Sequence, residues 1–395
     1  MSTLSPARRL DLPPADAPRP ARRLGELARR WRRAAPPEVP ALARSRRLRQ
    51  SGRAVILWAL ALYALAQPAL LAFMDWWHPS LYENSVRDKW RQLRELTVAD
   101  PDRPLLVMVG SSRTEAAFQA GRLDGLPGPG GRPWLAYNFG VPTAGPLREA
   151  LYLREMLDAG IRPRLLLVEY LPPLFGRTHP DVTCEEGWTH AEWLSLTQLC
   201  RLWPYFAERE RKRDDWLTAR LAPAHAFRVD LQSPLNGDED IWPVRHPHDR
   251  WGWRLPEERP PQLLATMRQT AWNMYFATLC RFQLGKGPCR AMRDVLALCR
   301  RERIPVVLVL TPEGSVFRGW YSPEAREGPR RLLENLRAAY GVPVIDATGW
   351  LPDEDFTDGH HVTGEGATAF TGRLLEELRR LPEWSGAEGP QVAAR

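Results

Sequence analysis

Five short apolar runs, each bounded by glycine, proline or charged residues, constrain the fold of this chain more than any other feature. They cover residues 105–109, 135–139, 165–169, 305–310 and 342–345, and helical patterns follow at 147–159, 291–303, 329–340 and 366–381. Runs without polar alternation are typical of strands buried on both faces of a parallel sheet. Alternation of strands and helices implies right-handed crossovers, with helices on both faces of that sheet. We therefore predict an α/β fold, a three-layer sandwich with a five-stranded parallel sheet of flavodoxin-like type.

A longer apolar stretch, residues 54–74, carries no charge over 21 residues. About 20 apolar residues are enough for a helix to cross a bilayer, so we predict a transmembrane helix, with a buried core helix as the alternative. Arginines precede the stretch and Asp75 follows it, which by the positive-inside rule places the N-terminus in the cytoplasm. The long basic region before the stretch favours an uncleaved single-pass anchor in the cytoplasmic membrane over a cleaved signal peptide.

The positive charge of the chain is confined to its N-terminal part. Residues 1–53 hold 14 Arg and four acidic residues, a net of +10, against +8 for the whole chain, so the remainder carries −2. A basic nucleic-acid-binding face on the folded part is therefore not expected. We predict a largely disordered basic cytoplasmic tail over 1–53, a linker helix within 75–102 and a disordered tail over 382–395.

The regular alternation is interrupted over residues 172–288. This segment is too long for an ordinary loop, so we predict a helical insertion or lid over the strand ends. It is rich in tryptophan, for which core packing is the ordinary role and stacking on sugars the alternative. All five cysteines lie beyond the apolar stretch, where disulfides are allowed, but an odd count leaves at least one thiol free. No zinc-ligand spacing is present, so we expect neither metal nor cofactor.

A serine follows the first apolar run at a turn into a helical segment, Gly110-Ser111-Ser112. A glycine permits a tight turn there. A serine at a helix start can present its hydroxyl to a cleft while its own N–H faces a developing oxyanion. Ser112 is therefore the candidate nucleophile and a candidate oxyanion donor. A plain helix N-cap and a phosphate cradle are the alternatives for the same pattern.

The partners of a serine nucleophile follow the fifth apolar run, in Asp358-Gly359-His360-His361. The carboxyl ends of parallel strands meet at one edge of a sheet, so an α/β fold would bring this segment beside Ser112. Asp358 would then accept from one imidazole nitrogen of His361, and the other nitrogen would face the serine hydroxyl. His360 is the alternative base, although the spacing favours His361.

A third polar segment, Asn138-Phe139-Gly140, follows the second run. A glycine at a strand end can offer an unhindered N–H to the same cleft, so Gly140 is the candidate second oxyanion donor. A simple turn before the helix at Pro146 is the alternative.

Taken in this order, the three segments resemble blocks of the SGNH or GDSL hydrolase superfamily. The serine turn is similar to its first block, Gly140 to the oxyanion glycine of its second block, and Asp358 with His361 to its final Asp-x-x-His. The resemblance covers residues 103–175 and 300–381. It implies an SGNH-like domain over 103–381 with the insertion inside it, and chemistry through an acyl-serine.

Two departures narrow the resemblance. Ser111 stands where the first block usually has aspartate, and Glu169-Tyr170 stands in place of the third-block Gly-x-Asn-Asp, whose asparagine is an oxyanion donor. The first departure is similar to membrane-anchored members that act in envelope acylation, such as the D-alanyl transfer protein of teichoic acid and the alginate O-acetylation proteins. Those members work beside a membrane-bound O-acyltransferase. We expect six further residues to line the site: Ser111, Arg113, Asn138, Glu169, Tyr170 and His360.

The sequence thus leads to one main hypothesis: a membrane-anchored extracytoplasmic serine esterase or O-acyltransferase acting on envelope polysaccharide or glycolipid. The alternative is a catalytically silent envelope protein that binds glycan or holds a membrane-bound O-acyltransferase. A phosphate- or nucleotide-binding protein is disfavoured, because neither a lysine nor a glycine-rich loop follows Ser112.

Overall fold

Five parallel strands form one sheet in the computed structural model, which describes residues 46–76, 84–178, 182–228, 247–256 and 260–385. The side chains of the first three strands are all buried, as runs without polar alternation predict. The α/β class and the all-parallel five-stranded sheet are confirmed. The strands are β1 (Leu105–Gly110), β2 (Leu135–Gly140), β3 (Leu165–Glu169), β4 (Val306–Leu310) and β5 (Val344–Asp346).

Fourteen α-helices are found among the described residues. They are α1 (Arg46–Trp76), α2 (Asn84–Ala99), α3 (Ser112–Ala117), α4 (Pro146–Asp158), α5 (Cys184–Trp188), α6 (Leu196–Leu202), α7 (Arg209–Leu221), α8 (Pro223–Ala226), α9 (Pro261–Cys280), α10 (Lys286–Glu302), α11 (Ser315–Gly319), α12 (Pro323–Tyr340), α13 (Gly364–Arg379) and α14 (Pro382–Ser385).

Two apolar cores lie on opposite faces of the sheet. On one face, alternate strand residues such as Val107 and Val168 pack against α2, α4, α10 and α12 and against the insertion. On the other face, Leu106 and Leu167 pack against α3 and α13. The predicted three layers of helix, sheet and helix are therefore present, and both faces of each central strand are removed from water.

The strand order β2-β1-β3-β4-β5 places a switch point between β1 and β3. From β1 the chain passes to β2 on one side, and β3 lies on the other side of β1. Ligand sites of open α/β sheets gather beyond the carboxyl ends of the strands at such a point. Gly110, the last residue of β1, therefore delivers the following turn to the position where a site is expected.

Several predicted boundaries differ from the structure by two residues or more; helix α10, for example, begins at Lys286 instead of residue 291. Helix α12 begins at Pro323 instead of residue 329, because Ser322 caps the backbone N–H of Ala325 and Pro329 lies inside the helix. Strand β5 begins at Val344 instead of residue 342, since Pro343 has no N–H to donate to a ladder.

Helix α1 contains a segment that is long and apolar enough to span a membrane. Residues Gly52–Phe73 have a mean hydropathy of 1.9 and contain Pro68. The predicted linker helix is observed as α2. The predictions of disorder cover 1–53 and 382–395, but residues 46–53 belong to helix α1 and residues 382–385 form α14. The rest of these two predictions falls on residues 1–45 and 386–395, outside the described residues.

The described part of the insertion is largely helical, from α5 to α9. Of its tryptophans, Trp188, Trp203 and Trp216 are half-buried against the core, whereas Trp272 is 39% exposed. All five cysteines are free thiols in this structure. Segment 247–256 runs along the outer edge of β2 and behind α3, where the carbonyl of Trp251 accepts a hydrogen bond from the N–H of Asn138. The N–H of Arg254 also donates to the carbonyl of Glu115, so the segment braces β2 and α3.

Candidate active site

The turn after β1 holds Ser112 at the first position of helix α3. A Cβ on Gly110 would lie 2.3 Å from Thr114 Oγ1 and 2.6 Å from Glu169 Oε2, so only glycine fits there. Ser111 is the N-cap: its hydroxyl accepts from the N–H of Arg113 at 3.1 Å. The capping role that any serine in this motif could fill is thus taken by Ser111, which leaves the hydroxyl of Ser112 for another partner.

That partner is His361. Its Nε2 lies 2.8 Å from Ser112 Oγ, although the two residues are 249 positions apart in sequence. Its Nδ1 lies 2.7 Å from Asp358 Oδ2. Both distances are within hydrogen-bond range, and the order serine, imidazole, carboxylate is that of a nucleophile, a base and the group that orients the base. The structure therefore brings together the three residues predicted from the sequence.

Asp358 is held as an anion by its surroundings. Its Oδ1 accepts the backbone N–H of His361 at 2.8 Å and that of His360 at 3.1 Å. Burial by itself would raise the pKa of Asp358, but the two histidines and these hydrogen bonds outweigh it and hold the pKa well below its usual value. The carboxylate consequently fixes the tautomer of His361 with the proton on Nδ1, leaving Nε2 free to accept from Ser112.

Asp358, His360 and His361 also offer metal-ligand atoms that lie within 4.8 Å of one another. In this geometry, however, Asp358 accepts hydrogen bonds on both oxygens, and each nitrogen of His361 already faces an oxygen. The set is therefore arranged for proton transfer to and from the serine.

His360, the alternative base, lies beneath the triad. It is 4% exposed, and its ring packs 5.3 Å from Phe317 and 5.4 Å from Tyr275. Burial, followed by the neighbouring His361, lowers its pKa well below the usual value, so it remains neutral. Its enclosed position supports the assignment of His361 as the base.

Arg113 is buried on the same side as His360 and does not line a surface. Its guanidinium lies 2.6 Å from Glu313 Oε1 and 4.4 Å from the Phe317 ring centre. Tyr321 donates a second hydrogen bond to Glu313 at 2.7 Å. Arg113 directly follows the nucleophile, so this buried pair anchors helix α3. Sequence reasoning missed Glu313, although its place three residues after β4 was a usable signal.

The other residues expected to line the site are also buried, because they brace it from behind. Glu169 accepts from the N–H of Ser111 and, at 2.8 Å, from the hydroxyl of Thr311, so it ties the turn after β1 to β3 and β4. Tyr170 points away from the site: its hydroxyl donates to the carbonyl of Pro329 at 2.7 Å. The prediction that Tyr170 lines the site is therefore wrong.

The prediction that Gly140 is the second oxyanion donor is also corrected. Its N–H donates to Asn138 Oδ1 at 2.8 Å and is not available to an oxyanion in this geometry. A Cβ at this position would lie 2.3 Å from the backbone nitrogen of Glu115, so the glycine permits β2 to approach α3 closely. The Asn138 amide in turn donates to the carbonyls of Thr114 and Phe118 and holds α3 against β2.

An unexpected backbone conformation occurs at Thr143, three residues after Gly140. Its φ of 60° is in the left-handed region, which is unusual for a residue other than glycine. Its hydroxyl donates to the carbonyl of Pro142 and accepts from Arg148 Nη2, both at 2.6 Å. Among the described residues, the N–H groups of Thr143 and Ser112 have no hydrogen-bond acceptor. No motif in the sequence indicated Thr143, and its backbone strain is visible only in the structure.

Comparison with known proteins adds one partial match. The model of an uncharacterised family matches residues 288–381, a segment that contains Asp358 and His361 but not Ser112. No curated protein is significantly similar to the chain.

Proposed function

We propose that the protein is a membrane-anchored serine esterase or O-acyltransferase of SGNH type that works outside the cytoplasmic membrane. The observation that carries this proposal is the continuous chain Ser112 Oγ, His361 Nε2, His361 Nδ1 and Asp358 Oδ2, with spacings of 2.8 Å and 2.7 Å. Ser112 follows the first strand of the sheet in sequence, and Asp358 and His361 follow the last. The sequence resemblance and the α/β fold are consistent with the same assignment.

In the proposed reaction, Ser112 Oγ attacks the carbonyl carbon of an ester while its proton passes to His361 Nε2. The tetrahedral intermediate collapses as Nε2 returns that proton to the leaving alkoxide, and an acyl-serine remains. Water or a sugar hydroxyl then gives its proton to Nε2 and attacks the acyl group. Collapse of the second intermediate releases the product and restores the Ser112 hydroxyl. Asp358 keeps its negative charge throughout and stabilises the imidazolium.

Stabilisation of the oxyanion is the weaker part of this site. The N–H of Ser112 is available, whereas Gly140 is engaged and β3 ends in Glu169-Tyr170 instead of an asparagine. Removal of one oxyanion donor slows acyl transfer by about a hundredfold or more. We therefore propose slow hydrolysis and a specialised transfer to an envelope polysaccharide or glycolipid, with a membrane-bound O-acyltransferase as partner.

The shortage of oxyanion donors favours a second candidate, a catalytically silent envelope protein that binds glycan or holds an acyltransferase. The two candidates are separated by the full-length protein in detergent, assayed with p-nitrophenyl acetate and a fluorophosphonate probe. For an enzyme we expect ester turnover and labelling of Ser112, both lost in Ser112→Ala and retained in Ser195→Ala, which alters an exposed helix cap. Absence of both signals in the wild-type protein would favour the silent candidate.

A further inference from the structure

An aromatic cavity of about 410 Å³ lies beside the catalytic edge and is not used by the proposed mechanism. Its volume falls within the range of small-molecule sites. The walls come from α2, α4, α9 and the first part of the insertion. Most of the lining side chains are aromatic or aliphatic, among them Trp90, Leu151, Tyr152, Trp188, Trp193 and Met274.

One end of this cavity reaches the turn after β2. Pro142 and Thr143 line it there, and the neighbouring Val141 donates its N–H to the carbonyl of Gly110 at 2.8 Å. Gly110 is two residues before Ser112. The left-handed Thr143 therefore separates the cavity from the nucleophile turn.

One residue of the cavity wall shares a packing cluster with the end of the apolar helix. Trp193 lines the cavity and packs against Ala219 and Phe227; Leu70 and Leu71, which lie in the segment that is long enough to span a membrane, pack against the same two residues. Val86, Arg87 and Trp90 contribute from α2, the next described helix along the chain. The cavity thus shares a packing cluster with residues of the apolar helix that would be in contact with lipid.

The charged groups of the lining are basic. Arg87 stands exposed at the rim, and Arg148 lies deeper beside Thr143, with Glu185 3.9 Å behind it. His190 also lines the rim and faces Glu192 at 3.7 Å. No aspartate or glutamate is among the described residues that line the cavity. An apolar interior with an arginine at the rim suits a hydrocarbon chain that carries an anionic head group.

We propose that this cavity binds an anionic membrane amphiphile, with its hydrocarbon among the tryptophans and its phosphate at Arg87. Binding requires neither Ser112 nor His361, so it does not depend on the proposed catalysis, although it rests on the membrane anchor of the proposed function.

The test uses full-length protein in nanodiscs that contain phosphatidylglycerol with a diazirine in its acyl chain. After irradiation, adducts are mapped by peptide mass spectrometry. Adducts on Gly52–Phe73 are expected from bulk lipid and serve as the internal standard. We expect additional adducts on the peptides that contain Trp188, Trp193 or Met274. Labelling confined to the apolar helix would overturn the proposal.

Matched variants separate the cavity from the general surface. Thr270→Trp places an indole at the cavity, whereas Leu263→Trp alters an exposed position of the same helix that does not line it. We expect Thr270→Trp to lower cavity labelling about tenfold or more relative to the standard, and Leu263→Trp to leave it unchanged. Equal labelling in the two variants would contradict the proposal.

The head group is tested in the same way. Arg87→Ala should reduce labelling by phosphatidylglycerol by about tenfold, the effect of one charge-assisted contact, whereas Arg91→Ala on the next turn should not. A phosphatidylcholine analogue should label the wild-type cavity more weakly than the phosphatidylglycerol analogue. Equal labelling by both lipids would refute the proposed preference for an anionic head group. Ser112→Ala should be labelled like the wild type, so loss of esterase activity and loss of lipid binding are read independently.

Discussion

Replacement of Asp358 by asparagine tests the account of the triad with little change in shape. Asp358 Oδ1 accepts two backbone N–H groups, at 2.8 Å and 3.1 Å, and Oδ2 faces His361 Nδ1 at 2.7 Å. In Asp358→Asn the amide oxygen is expected to keep the two backbone donors. The amide NH2 would then face Nδ1 and require it to be an acceptor. The imidazole proton would move to Nε2, which would donate to Ser112 Oγ instead of accepting from it.

This change of tautomer leaves His361 unable to act as a base, although every side chain of the triad remains in place. The corresponding change in a Ser-His-Asp triad lowers kcat by about 10⁴, or about 5 kcal/mol of transition-state free energy. Stability should fall much less, by about 1 to 3 kcal/mol, because the hydrogen bond between the carboxylate and His361 is only replaced by a weaker, neutral one.

The assay is turnover of p-nitrophenyl acetate by the full-length protein, with thermal unfolding measured in parallel. Asp346→Asn is the control, since that exposed carboxylate bonds only locally to Thr348. Activity of Asp358→Asn within about tenfold of wild type would refute the tautomer argument, because the expected loss is far greater.

Three further substitutions test the buried residues that surround the triad. Glu313→Gln leaves Arg113 as an uncompensated buried cation, which should lower the free energy of unfolding by about 3 kcal/mol or more in denaturant titrations. His360 is neutral when folded and gains a proton on unfolding below its usual pKa of 6.5, so stability should fall as pH drops from 7 to 5.5. That loss should approach 1.4 kcal/mol per pH unit, should be seen in thermal melts, and should be absent in His360→Gln. Gly110→Ala inserts a methyl group 2.6 Å from Glu169 Oε2 and should destabilise by about 1 to 3 kcal/mol while displacing Ser112, measured as loss of fluorophosphonate labelling.

Each of these changes has a surface control. Glu376→Gln, His225→Gln and Gly349→Ala alter exposed positions and should leave stability, its pH dependence and labelling unchanged. A Glu313→Gln protein as stable as wild type would contradict the role of the ion pair. An unchanged pH slope in His360→Gln would show that another group titrates. Full labelling of Gly110→Ala would show that the turn has room that the structure does not indicate.

The sheet could be predicted from sequence because its signal is local. Strands such as Leu105–Gly110 are buried on both faces, so successive residues are all apolar and the run is visible in the sequence. Parallel strands also fix the edge at which the residues after them meet, which is why Ser112 and His361 could be paired across the chain. The start of α12 could not be fixed in this way, because Ser322-Pro323 and Pro329 both resemble helix starts and tertiary packing decides between them.

The supporting residues were harder to predict because their roles depend on contacts between elements. Gly140 has the expected position for an oxyanion donor, but its lack of a side chain serves the approach of β2 to Glu115. Tyr170 ends a strand at the catalytic edge, yet its hydroxyl is directed to α12. The strain at Thr143 has no local sequence signature, and the place of Glu313 just after β4 does not indicate that its partner is Arg113.

The most direct test of the central claim is to trap the acyl group on the enzyme. Full-length protein is mixed with p-nitrophenyl acetate, quenched in acid and digested, and the peptide that contains Ser112 is examined by mass spectrometry. The account predicts one acetyl group on Ser112, absent in Ser112→Ala and strongly reduced in His361→Ala. An unmodified Ser112 in the wild-type protein, or equal acetylation in His361→Ala, would contradict the claim that His361 activates Ser112 as a nucleophile.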